Sequence, residues 1–325
     1  MVKAVEIAVG KKKHLPCFAH TLNLVAQNSL QIPELQNIIL KIKDIVTFFK
    51  HSCVASDELR RSVRGGAEPK LIQDVSTRWN STYYMIQRFL ELKNLVSDIL
   101  IRHKTAPAML TGLELNIVSS LVNILRPLEA ATKEISVDKY CSSSKVIPLV
   151  HCMISKLKAL SIDEPLVLDV QKLILKEISK RMGGIEQVSC LAISTILDPR
   201  FKKLHFEDHL ACANAIRKIK EMMEMDLPDE TINVKSESKN LEKVSEDFSL
   251  WSDHHNLVQR NLKSNKNESI SDELSIFLRT PVSRLEENPL EVWAGYKHQF
   301  PKLFKIAYKY LTIVASSVPC ERLFF

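Results

Sequence analysis

From Leu35 onward the apolar positions fall three and four residues apart. Leu35, Ile38, Ile39, Ile42, Ile45, Val46 and Phe49 line one face of a 3.6-residue period, which predicts an amphipathic helix. The run VRGGAEPK breaks it, and DVSTRWNST reads as a polar turn in which Asp74, Ser76 and Thr77 are all candidate caps. A second long helix follows through Met85, Phe89, Leu92, Val96 and Ile99. A third spans about 112–134, with Pro127 expected to kink or divide it.

The same period recurs in VIPLVHCMISKLKAL, in EPLVLDVQKLILKEISKRM up to the GG at 183–184, and in EDHLACANAIRKIKEMMEM. CLAISTIL is apolar throughout and fits helix or strand equally, with Pro199 closing it. Near the start, MVKAVEIAVG reads as the tail of a helix ending at Gly10. A brief strand is expected near residues 16–19, then a helix carrying Leu22, Val25, Ala26 and Leu30. At the other end, ISDELSIFLRTP predicts a short helix. Pro301 opens another whose spacing runs through Leu303, Ile306, Ala307, Tyr310, Leu311 and Val314.

Between these blocks the composition shifts. Residues 226–249 are polar and charged, with no aromatic before Phe248, and read as a disordered linker. Only 7 Gly in 325 residues agrees with helices over sheets. The net charge of +7 permits a polyanion partner without requiring one. Seven scattered Cys with no CxxC pair are the usage of a reducing compartment, and no apolar run has membrane-spanning length. No phosphate-cradling Gly loop, GxSxG elbow or HExxH is present.

The remaining candidate chemistry is sparse. HLPCFAH places His14, Cys17 and His20 three apart, which are zinc-ligand types without a second half-site, so packing is the stronger reading. STRWNST sets Arg78 beside Trp79: a cation for a phosphate and a ring for an unpaired base, weighed against a core Trp next to a capping loop. GKKKH at 10–14 reads as a solvated basic loop, and LDPRFKK as a turn. Cys320 has no paired His that would make it a nucleophile.

Taken in order, LPCFAHTLNL, DVSTRWNSTYYM, LDPRFK and SSVPCERLF resemble the hAT superfamily of DNA transposases, nearest to its domesticated BED zinc-finger branch. The resemblance spans almost the whole chain. It implies a mostly α protein: a partial ribonuclease H-like α/β core, at residues 1–30, interrupted by a large all-helical insertion domain over 31–225. The linker 226–249 and a partial hAT dimerisation region at 250–325 would follow. Such enzymes hold two Mg²⁺ with two Asp and one Glu.

The resemblance puts that Glu at Glu321, in the Ser-x-x-x-x-Glu-Arg motif, and assigns Cys17 and His20 to the active-site surround. It makes Arg78 and Trp79 the pair that stacks on a flipped base at a DNA hairpin. The Asp-bearing segments and the BED finger expected upstream are not in this sequence. The expectation is therefore a chain truncated at both ends and catalytically inactive. It would need no cofactor, reside in the nucleus, form a homo-oligomer through its C-terminal region, and bind DNA but no membrane. The alternatives are a fragment of an active cut-and-paste transposase, and a helical scaffold with no DNA role.

Overall fold

The computed structural model describes residues 15–62, 69–75, 77–136, 143–225, 251–264 and 273–316. The helix tail expected before Gly10, all of GKKKH including His14, the linker 226–249 and Glu321 lie outside them. Among the described residues there are thirteen α-helices, two 3₁₀ turns and no extended strand. The chain divides into two compact units. One comprises 1–19, 133–156 and 182–325; the other comprises 20–132 and 157–181.

The second unit is built on α1 (Phe18–Ser29), α2 (Pro33–His51), α3 (Cys53–Arg61), α4 (Trp79–Arg102) and most of α5 (Gly112–Ser136). The seven apolar positions of the Leu35 stripe are the seven buried residues of α2, which packs on α3 and α4. Pro33 opens α2 at a position where its missing N–H costs nothing. The break after α2 comes earlier than VRGGAEPK: Ser52 ends α2, and its hydroxyl then accepts the Ala55 N–H to start α3. Met85, Phe89, Leu92, Val96 and Ile99 are buried along α4. Pro127 lies inside α5 without dividing it, because Pro removes one ladder bond while the buried neighbours Leu125, Leu128 and Ala131 hold the helix.

The first unit contains α6 (Val146–Ala159) up to Lys156, α8 (Ser189–Leu197), α9 (His209–Met225), α10 (Ser252–Ser264), α11 (Glu273–Arg279), α12 (Pro289–Tyr296) and α13 (Pro301–Leu311); α7 (Pro165–Met182) belongs to the other unit up to Arg181. CLAISTIL, ambiguous in sequence, is the helix α8, and its residues from Leu191 to Leu197 are all buried. A helix apolar on every side must be surrounded. Here α9, α13 and the 3₁₀ turn Ser143–Lys145 pack against it. The Trp293 indole N–H donates to the Leu197 carbonyl at 2.7 Å and so satisfies the end of α8. α13 begins at Pro301 as expected but stops at Leu311, so Val314 lies past the helix and is exposed.

The brief strand expected at 16–19 is not there. Phe18 already stands in α1, and its N–H is bonded to the Ala315 carbonyl at 2.9 Å instead of to a neighbouring strand. The mostly helical class is correct for the described residues. Two features were not foreseen: α3, and α10 immediately after the linker.

Candidate functional site

Parts of three of the four recognisable motifs lie in the first unit: residues 15–19, 198–203 and Ser316. Residues 313–316, which run into SSVPCERLF, are held at two points. Ser143 N–H donates to the Ile313 carbonyl at 2.8 Å, and Phe18 N–H to the Ala315 carbonyl. Cys17 Sγ stands 3.8 Å from Ser316 Oγ. The Cys of the CxxH motif thus meets the first Ser of the last motif across 299 positions of sequence. His20 is exposed on the first turn of α1.

The third motif, LDPRFKK, is far more than a turn. Asp198 is 0% exposed and Arg200 2%. Arg200 Nε donates to Asp198 Oδ1 at 2.9 Å and Arg200 Nη2 to Oδ2 at 2.7 Å, a two-pronged pair. The Arg200 N–H adds a third bond to Oδ1, and Ser144 Oγ donates to Oδ2 at 2.7 Å. Thr195 Oγ1 donates to the Ser144 carbonyl, so the 3₁₀ turn is tied to α8 twice. Burial opposes the Arg200 charge, but the Asp198 carboxylate overcomes it and holds the guanidinium above its ordinary value.

Lys202 is buried too, in the left-handed region at φ 50°. Its Nζ donates to the Phe277 carbonyl and Thr280 Oγ1, and lies 4.7 Å from the Phe277 ring centre. Burial pushes this lysine down to about 7, while every partner it meets is an acceptor for the ammonium form. Charged residues that read as a solvated turn are therefore the polar centre of the unit. Sequence gives little sign of this, since their partners lie about 54 to 85 positions away.

A second polar cluster lies beside this one. His205 follows LDPRFKK, is 0% exposed, and sits between two imidazoles. Its Nε2 is 2.8 Å from His254 Nδ1 on α10, and its Nδ1 is 3.3 Å from His151 Nδ1 on α6. One nitrogen of His151, one of His205 and Cys152 Sγ all lie within 4.8 Å of one another. Burial, then the charges of His254 and His151, drive His205 down to about 2, and burial first drives His254 to about 4. Burial, then the Asp253 charge, lifts the Cys152 thiol to about 12. Three segments some 50 residues apart supply these groups, so no spacing rule finds them.

The Arg78–Trp79 pair belongs to the other unit, at the start of α4. Arg78 is exposed at the N-cap position. Trp79 is only 4% exposed; its ring meets Tyr83 at 6.3 Å, and its backbone N–H is held by Asn23 Oδ1 at 3.2 Å. Its indole face is not open to a base in this structure. The apolar phase explains why: Trp79 shares its face with Tyr83 and Ile86, both buried.

Comparison with known proteins matches two segments of the chain to described families. Residues 15–124 match the family described as ZBED1 RNase-like helical domain, and residues 273–325 match the hAT family C-terminal dimerisation region. Both segments are thus similar to hAT transposase-related proteins. It is 26% identical over 324 residues to human zinc finger BED domain-containing protein 4, covering 97% of this chain and 27% of that protein. It is 29% identical over 204 residues to human zinc finger BED domain-containing protein 6, covering 59% of this chain and 20% of that one. It is 26% identical over 338 residues to the putative AC transposase of Zea mays, covering 96% of this chain and 40% of that protein. The chain thus spans between a fifth and two-fifths of the length of these relatives. Among the described residues no helix is long and apolar enough to cross a membrane.

Proposed function

We propose that this hAT-related chain keeps the assembly role of a transposase without its strand-breaking one. It acts in the nucleus as a dimerising module that holds DNA through the phosphate backbone. The carrying observation is the junction of Cys17–Phe18 with Ala315–Ser316. It ties the Cys of the CxxH motif to the segment that leads to Glu321, as remnants of one ribonuclease H-like core would be tied. The match of residues 273–325 to a hAT dimerisation region supports self-association.

The buried carboxylate of the same unit, Asp198, is fully engaged by Arg200 and Ser144 and is a structural anion, not a Mg²⁺ ligand. That supports the non-catalytic reading, in which Glu321 is vestigial and no cofactor is used, where the intact family uses Mg²⁺. Arg78, exposed, is the phosphate contact, and the net charge of +7 favours the same partner.

Two measurements on the whole 325-residue chain test this. Sedimentation over a range of concentrations is expected to show a dimer; a monomer throughout overturns the assembly role. Incubation with DNA ends and Mg²⁺ is expected to leave them intact. Nicking or joining that disappears in Glu321→Ala refutes inactivity. The likeness to the putative AC transposase favours a second reading, that this is part of an active enzyme. Activity restored when the upstream reading frame is included would establish it.

A further inference from the structure

We propose that the first unit carries a zinc-class metal site made by His151, Cys152 and His205, with His254 holding His205 in register. No role in the transposase-like reading touches these residues, and the proposal stands independently of it.

The donor set has the right chemistry and spacing. Two imidazole nitrogens and one thiolate suit a borderline-soft ion of the zinc type and not Mg²⁺ or Ca²⁺, which take oxygen ligands. Two nitrogens at about 2.05 Å on a tetrahedral ion stand about 3.3 Å apart. The His151 and His205 Nδ1 atoms are 3.3 Å apart. The same geometry sets sulfur about 3.6 Å from each nitrogen. The three donors already lie within 4.8 Å, so a side-chain adjustment of about 1 Å completes the set.

The surroundings fit a bound cation. His205 Nε2 lies 2.8 Å from His254 Nδ1, and in the tautomer in which Nε2–H donates, His205 Nδ1 is left as the lone-pair donor. On the outer side, His151 Nε2 lies 3.8 Å from Glu207 Oε1, an exposed carboxylate within ion-pair range but beyond hydrogen-bond distance. The His254 backbone N–H, in the first turn of α10, donates to Cys152 and favours its thiolate. Next to His254, Asp253 carries a buried oxygen, Oδ2, with no hydrogen-bond partner, and its charge acts on Cys152. An uncompensated buried carboxylate oxygen is costly and asks for a positive partner. A divalent ion supplies it, beside the Cys152 thiolate and the Asp253 and Lys156 charges that already act on that sulfur. Binding releases the one proton of the Cys152 thiol to solvent, and both imidazoles bind neutral. His151, 22% exposed at its side chain, gives the ion its way in.

The alternative is a metal-free chain of hydrogen-bonded imidazoles, and cobalt distinguishes the two. The whole chain, reduced and stripped of metal, is titrated with Co²⁺ and then with Zn²⁺. About one cobalt per chain is expected, with the intense visible bands of tetrahedral coordination and a sulfur-to-cobalt charge-transfer band that zinc bleaches. Cys152→Ser, a near-isosteric change, should abolish the charge-transfer band. Cys190→Ser, in α8, should leave it. Should Cys152→Ser fail to fold, the wild-type chain still decides: zinc should raise its thermal midpoint by several degrees and a chelator should reverse the rise. A midpoint indifferent to zinc, weak octahedral cobalt bands, or a charge-transfer band that survives Cys152→Ser overturns the site.

Discussion

The Asp198–Arg200 pair offers the sharpest test of the claim that LDPRFKK is the polar centre of its unit. Replacing Arg200 with Met keeps the length of the stem and removes the fork. Asp198 then loses both side-chain bonds, at 2.9 and 2.7 Å, and keeps Ser144 Oγ and one backbone N–H. Each hydrogen bond to a charged group is worth about 1.5–3 kcal/mol, so the two together carry about 3–6 kcal/mol. Stranding a fully buried carboxylate costs about 3–5 kcal/mol by direct comparison with other buried pairs. Both routes put Arg200→Met near 4 kcal/mol, about a third to most of the stability of a typical domain. Asp198→Ala strands the guanidinium with only the Leu285 carbonyl, 3.3 Å from Nη1, and should cost a similar amount.

Because neither charge then remains, the double variant should cost much less than the sum of the two. Urea unfolding followed by Trp251 and Trp293, both in this unit, reads each value. Single variants that each cost under about 1 kcal/mol, or that add without coupling, would show a pair of surface character and refute the assignment.

Three further outcomes follow from the geometry. Trp79→Ala should destabilise the second unit by about 3–5 kcal/mol, whereas Arg78→Ala should leave its stability unchanged and lower the salt slope of DNA retention by about one; an open stacking residue would show the reverse pattern. Tyr84 OH donates to the buried Glu129 at 2.6 Å, so Tyr84→Phe should cost about 1.5–3 kcal/mol of that unit's stability, read as a lower thermal midpoint.

His205 and His254 titrate below their unfolded value near 6.5, so the unfolded chain binds more protons there. Stability of the first unit is complete above that value and falls as pH drops from about 6 towards 4, by up to about 1.4 kcal/mol per pH unit for each imidazole. Urea midpoints at pH 7 and pH 5 should show the loss, with His254→Phe removing its own share and leaving that of His205. A flat wild-type profile would mean that the buried imidazoles are not neutral.

Local periodicity made one unit almost fully legible. The α2 stripe and the α4 stripe are each the output of a single helix choosing a side, and every position named on them is buried. What the sequence withheld depends on distant partners. Asp198, Arg200 and Lys202 look like a hydrated turn because three charges in five residues ordinarily are one. Ser144, Leu285, Phe277 and Thr280, brought in from elsewhere, help make their burial tolerable. α8 was ambiguous for a related reason: a segment buried on all sides shows no period to read. Trp79 inverts the case. Its motif neighbours suggested an open ring, while its helical phase with Tyr83 and Ile86 already pointed inward.

The meeting of Cys17 with Ser316 joins residues near the two ends of the chain, and it can be locked covalently. Their Sγ and Oγ atoms are 3.8 Å apart, a separation that side-chain rotation can convert to a bond if Ser316 becomes Cys. Loop closure over 299 positions removes chain entropy worth on the order of 5 kcal/mol, less whatever strain the new bond imposes. Ser316→Cys, with Cys320 replaced by Ser to remove a competing thiol, should oxidise to an intramolecular cross-link. Reducing agent should reverse its faster migration in denaturing gels, and the oxidised chain should resist urea well beyond the reduced one. Peptide mapping should place the bond at position 17. If Cys17 stays reduced under conditions that oxidise exposed thiols, the two motifs do not meet in solution. The shared core on which the transposase-like reading rests would then fall with that contact.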